Sequence, residues 1–167
     1  MKKFLNKEIF KKISILLVLL FIYVGISAIS YAKITSAEIS ESVFRLHVLA
    51  NSDSAEDQAL KYKVRDNLIS YMNNICNKTT SKEEAISIAS NHLDDFKKIA
   101  EQTIKENNFD YPVNVQIGNF DFPTKTYGDI SLPAGTYDAL RVEIGNAKGQ
   151  NWWCVMFPPL CFIDVTS

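Results

Sequence analysis

Residues 43–76 read VFRLHVLANSDSAEDQALKYKVRDNLISYMNNIC, and a change of period inside that stretch sets the fold class. From Val43 to Ala50 the residues alternate, with Phe44, Leu46, Val48 and Ala50 on one face and Val43, Arg45, His47 and Leu49 on the other, as a strand requires. Asn51, Ser52, Asp53 and Ser54 are all good helix-capping types, and Asp57 follows Ser54 by three, as in a capping box. Leu60, Val64, Leu68, Tyr71, Met72 and Ile75 then recur at spacings of three and four, which predicts an amphipathic helix to about Cys76.

Downstream, Ser81 and Glu84 form a second capping box. It leads a longer helix through Ala85, Ile86, Ala89, Leu93, Phe96, Ala100 and Ile104 to Asn107-Asn108. After Pro112 the pattern alternates: Val113, Val115 and Ile117 share a face, and so do Leu140, Val142 and Ile144. Asn146 to Gly149 reads as a hairpin turn into a strand over Trp152 to Phe157. Lys125-Thr126-Tyr127-Gly128 and Leu132-Pro133-Ala134-Gly135 read as turns. The expected order is β-α-α-β-β-β, an α+β fold with a mixed or antiparallel sheet covered by two helices.

The N-terminus is of another kind. Lys2, Lys3, Lys7, Lys11 and Lys12 precede an apolar stretch over residues 13–30 that contains the run ILLVLLFIYVGISAI. This is either a signal peptide cut after Ala32, with small Ser30 two residues before, or an uncleaved membrane anchor. Residues 1–32 are thus the leader or anchor, and residues 33–167 one exported domain. Of 18 basic and 19 acidic residues, the leader holds five lysines and Glu8, so the exported part keeps 13 and 18 and has net charge −5. That balance argues against a nucleic-acid partner, whose phosphates need a basic face.

Asn151 to Ile163, NWWCVMFPPLCFI, carries no charge and holds both tryptophans. It is a core strand, a partner surface, or both on opposite faces. Cys154 and Cys161 bracket Pro158-Pro159, which could turn the chain so that a disulfide closes; the alternative is two reduced core thiols beside a third, Cys76. No metal site is expected, because there is no CxxC and His47 and His92 lack ligand spacing.

Arg45, His47, Asn51, Ser52, Asp53 and Arg65 form the polar cluster that looks arranged, at the junction of a strand and a helix N-terminus. With Lys125 and Tyr127 these residues, Arg65 apart, are the expected partner-binding set, and a structural capping role is the alternative. A catalytic triad of Cys154, His47 and Asp164 can be written down, but nothing near either cysteine would lower a thiol pKa. No catalytic residues and no cofactor are assigned.

Two long motifs, FRLHVLANSDSAEDQALKYKVRDNL from Phe44 and FPTKTYGDISLPAGTYDALRVEIGNAKGQNWWCVMFPPLC from Phe122, together with the leader, resemble the stage II sporulation protein R family. The resemblance implies a signalling protein of endospore-forming Firmicutes, exported from the forespore into the space between forespore and mother cell. There it would activate a membrane-embedded aspartic protease that processes pro-sigma E. It further implies a signal with no small-molecule substrate rather than an enzyme. The competing class is an exported cysteine/histidine hydrolase acting on cell-wall or peptide material.

Overall fold

A computed structural model describes residues 2–161 of the chain. It separates into two units, Met1–Glu38 and Ile39–Ser167. Helix α1 (Lys2–Ser42) supplies the first unit, and its segment Ile9–Tyr31, 23 residues with none buried, is long and apolar enough to cross a membrane. This fits a signal peptide or a membrane anchor. The expected cleavage junction, Ala32–Lys33, falls within the helix, and the side chains of residues 32–37 lie outside the described residues.

The second unit is α+β. Its elements are β1 (Phe44–Leu49), α2 (Ala55–Ile75), α3 (Lys82–Asn91), α4 (Leu93–Glu106), β2 (Val113–Phe122), β3 (Lys125–Tyr127), β4 (Ile130–Leu132), β5 (Gly135–Ile144) and β6 (Asn151–Phe157). The main sheet runs β2-β5-β1-β6 and is mixed: β1 lies parallel to β5, while β1/β6 and β2/β5 are antiparallel. β3 and β4 make a separate hairpin.

Both expected serines cap their helices, while the reciprocal half of each box goes elsewhere: the Ser54 N–H donates to Ser52 Oγ and Glu84 accepts the Thr80 N–H. Ser54 accepts the Asp57 N–H and Ser81 accepts the Glu84 N–H, each at 3.2 Å. The expected single second helix is instead two, broken at His92, whose φ of −110° and ψ of 19° leave the helical region. The order therefore differs from the expected one by a third helix and by two short strands where turns were read.

One face of the sheet carries Phe44, Leu46, Val48, Leu140, Val142 and Cys154, packed against Leu60, Val64, Leu68 and Met72 of α2, Ala85 and Ala89 of α3, and Phe96, Ala100 and Ile104 of α4. The other face is covered as well. Tyr127 and Leu132 of the hairpin close over Phe122, Tyr137, Ala139 and Val155 in a second apolar cluster. β1 is consequently buried along its whole length, the condition of a central strand with both faces covered.

Candidate functional site

The double cover decides the fate of the expected partner-binding set. Arg45 is 0% exposed, His47 5% and Tyr127 0%, which corrects the expectation that they present polar heads to a partner. Alternation does put Arg45 and His47 on the face opposite Phe44, but the β3–β4 hairpin and the rings of Phe122, Tyr137 and Trp153 cover that face. The Arg45 guanidinium lies 4.0 Å from the centroid of Phe122, 4.7 Å from that of Tyr137 and 5.9 Å from that of Tyr127. It donates to the Tyr127 hydroxyl at 2.7 Å, and Tyr127 in turn donates to the Trp153 carbonyl at 3.2 Å. Burial pulls the Arg45 pKa below its usual value, the two tyrosines opposing, and the aromatic faces provide the attraction that a carboxylate would otherwise supply.

His47 is stacked on Trp153, centroids 3.7 Å apart and planes 19° apart. Burial pushes its pKa down to about 4, with Arg141 adding to the shift and Asn151 and Glu143 opposing it, so at neutral pH it is an uncharged ring in a core. Lys125, half-buried, opens β3 of the covering hairpin.

Asn51, Ser52 and Asp53 form a clasp that joins the β1–α2 junction to the β5–β6 turn. Asn51 Oδ1 accepts the Asn146 N–H at 2.9 Å and its Nδ2 donates to Asp57 at 2.8 Å; Ser52 also donates to Asp57, and Asp53 accepts the Gln150 N–H at 2.6 Å. Burial works to raise the Asp57 carboxyl, but hydrogen bonds from Ser52, Asn51 and Tyr111 outweigh it and hold the pKa below its usual value. Two glycines make the close approach possible: a Cβ at Gly145, where φ is +58°, would meet Asn51 Oδ1 at 2.3 Å, and one at Gly149 would meet the Ser52 carbonyl at 2.1 Å. Lys61, also buried, donates to Gln58 and to the Gln150 carbonyl, and burial lowers its pKa, helped by Arg65.

Cys154 and Cys161 are joined in a disulfide, Cα atoms 5.5 Å apart. The nucleophile of the written triad is thereby consumed. Geometry removes it independently: Leu46 pairs with Cys154 and His47 with Trp153, so the His47 and Cys154 side chains project from opposite faces of the sheet. Asp164 lies outside the described residues. Cys76 is a half-buried thiol 3.7 Å from the Met72 sulfur, its pKa raised by burial. Among the described residues no cluster of His, Cys, Asp and Glu is placed to hold a metal.

An aromatic and cationic stack reaches the surface elsewhere. On α2, Tyr62 and Arg65 sit one turn apart over Trp152 of β6: the Arg65 guanidinium is 4.2 Å from the Trp152 ring and 4.9 Å from the Tyr62 ring, and Tyr62 meets Trp152 edge-on at 5.5 Å. Tyr62 is 40% exposed and Trp152 half-buried. Asp66 holds Arg65 through Nε at 2.8 Å and Nη2 at 2.7 Å. Trp, Tyr and Arg are the residues in which binding energy concentrates. The sequence groups Arg65 with Arg45 and His47 but does not reveal the stack; the i, i+3 spacing of Tyr62 and Arg65 is the available signal.

Known proteins agree on where this chain belongs. No solved structure matches it. Stage II sporulation protein R from Bacillus subtilis (strain 168) is 36% identical over 165 residues, covering 94% of this chain and 74% of that protein. The profile of the family described as stage II sporulation protein R matches residues 40–167, the whole of the sheet and its helices. With that span and that identity, the chain belongs to the stage II sporulation protein R family.

Proposed function

We propose that the folded unit is an intercompartmental sporulation signal that works by binding: exported from the forespore, it engages a membrane-embedded aspartic protease of the mother cell and thereby promotes processing of pro-sigma E. Family membership supplies the class of function. The observation that carries the binding mode is the solvent-reaching stack of Tyr62, Arg65 and Trp152, where anchor-type side chains are already held in place by α2, β6 and Asp66. A preorganised aromatic-cation surface loses little entropy when a partner covers it.

The test combines the purified full-length chain with the protease in membranes and follows pro-sigma E cleavage. Tyr62→Ala and Arg65→Ala, both at partly solvent-facing positions, should keep the native thermal melt and weaken activation by about 1–3 kcal/mol each, roughly 5- to 150-fold. Wild-type protein that leaves cleavage unchanged would overturn the signalling reading. Folded, fully active variants would overturn only the placement of the surface.

A further inference from the structure

The two edges of the main sheet are finished differently. At the β6 edge the outward Trp153 carbonyl is taken by the Tyr127 hydroxyl at 3.2 Å, and the outward Val155 carbonyl accepts the Leu160 N–H at 3.3 Å as the chain turns back after Pro158. Two outward carbonyls of that edge are thus taken by its own chain.

β2 is the other edge, and its outward groups follow from one bond. The Gly145 N–H donates to the Pro112 carbonyl at 2.9 Å, so position 112 faces β5. Val113 then pairs with Ile144 and the register continues unbroken to Phe122 opposite Gly135. In an antiparallel ladder, residues alternate between directing both backbone groups toward the partner strand and directing both away. Val113, Val115, Ile117, Asn119 and Asp121 therefore direct N–H and C=O away from the sheet. Among the described residues no hydrogen bond from another element reaches these groups. The strand is ten residues long, against a usual five or six. It has no internal proline, no bulge, no lysine and one charge, Asp121, so the devices that normally blunt an edge are missing.

From this we infer that β2 is a self-association edge, pairing antiparallel with β2 of a second copy of this chain about a two-fold axis at Ile117. The charge pattern of the strand suits that occupant. The outward positions are symmetric about Ile117, so one register uses all of them: Ile117 faces its own copy, Val115 faces Asn119, and Val113 faces Asp121. The lone carboxylate never meets another in this pairing, and Gln116 crosses over Gly118, where no side chain is in the way. The result is an eight-stranded sheet with an isologous centre and with β6 at both remaining edges. This dimer is independent of how a receptor is read.

The experiment uses the full-length chain in detergent with Cys76→Ala as background. Ile117→Cys puts a thiol on the proposed axis, where paired Cα atoms would stand about 5.5 Å apart, within disulfide reach; Ser70→Cys, exposed on α2, is the control. Under mild oxidation the position-117 protein should form a covalent dimer much faster than the position-70 protein. Adding Asn119→Pro, which removes an outward N–H and no bond to β5, should reduce that dimer several-fold with the thermal melt retained. Asn119→Lys, at an exposed position, serves the same end should the proline disturb the fold. Equal cross-linking at 117 and 70, or cross-linking unaffected by folded Asn119→Pro or Asn119→Lys, would overturn the dimer.

Discussion

Arg45 and Tyr127, 82 positions apart in sequence, meet through a buried 2.7 Å hydrogen bond that fastens the β3–β4 hairpin onto the central strand. A guanidinium so placed contributes through ring faces and one hydroxyl, so its deletion opens a void beneath the hairpin. Arg45→Ala should destabilise the domain by about 2–5 kcal/mol. Arg45→Met, which refills the volume without a charge to desolvate, should lose much less. Urea midpoints decide it, and an Arg45→Ala protein with the wild-type midpoint would contradict the cage.

Tyr127→Phe isolates the hydroxyl. It removes the acceptor for Arg45 and the donor to Trp153 while leaving the ring in place, and should cost about 1–3 kcal/mol because a buried charged donor loses its partner. Equal stability of the Phe variant would mean the ring stacking alone holds the hairpin.

His47 sets a pH dependence. Its pKa lies near 4 in the folded state against about 6.5 unfolded, so the unfolded chain binds the extra proton first and stability falls as pH drops from about 6.5 toward 4. The full effect is on the order of 3 kcal/mol. Arg141, Glu143 and Arg45 also act on the ring. Asp57, whose pKa is also lowered, loses its contribution only in more acid solution. His47→Phe should flatten the pH 4–6.5 slope of the urea midpoint; an unchanged slope would assign it to other groups.

Gly149→Ala tests the clasp. The added methyl would stand 2.1 Å from the Ser52 carbonyl, a backbone atom that cannot swing aside. A fall in melting temperature is expected, whereas Ala147→Gly in the same turn, at a φ of 52°, should be neutral or stabilising. A Gly149→Ala protein with an unchanged melt would show that the turn moves away from Ser52 freely.

Cys154 and Cys161 close a loop with a sequence separation of 7, for which the chain-entropy account predicts about 2–3 kcal/mol. Intact mass under non-reducing conditions should be lighter by two hydrogens than after reduction. Cys161→Ser should lower the unfolding midpoint by an amount that reductant no longer changes. A wild-type chain whose mass is the same before and after reduction would refute the bridge.

The start of each cap-led helix was legible because its signal is local: Ser54 with Asp57, and Ser81 with Glu84, lie within one turn of one another. The break at His92 was not. Apolar positions continue through it from Ala89 to Leu93 and Phe96, and the contact that accompanies the bend comes from α2, where the Tyr71 hydroxyl lies 2.8 Å from His92 Nδ1 and 3.0 Å from Asp95. Alternation likewise placed Arg45 on a second face without revealing what roofs it, since β3 and β4 are three residues each, too short to show an alternating pattern. The Tyr62, Arg65 and Trp152 stack joins residues about 90 positions apart. Only the register of β6 against β1 brings them together.

The parallel pairing of β1 with β5 joins Arg45 to Ala139, and the antiparallel pairing with β6 joins Leu46 to Cys154. The middle strand of the sheet is thus the first to be synthesised and its two neighbours are the last. No partial chain ending before β5 holds a partner for β1, so the sheet has nothing to nucleate on until most of the protein exists, and such distant pairings close slowly even then. Until β5 and β6 exist, β1 therefore keeps its backbone donors and acceptors unpaired, and the chain between Ala55 and Glu106 has only its own helices to form.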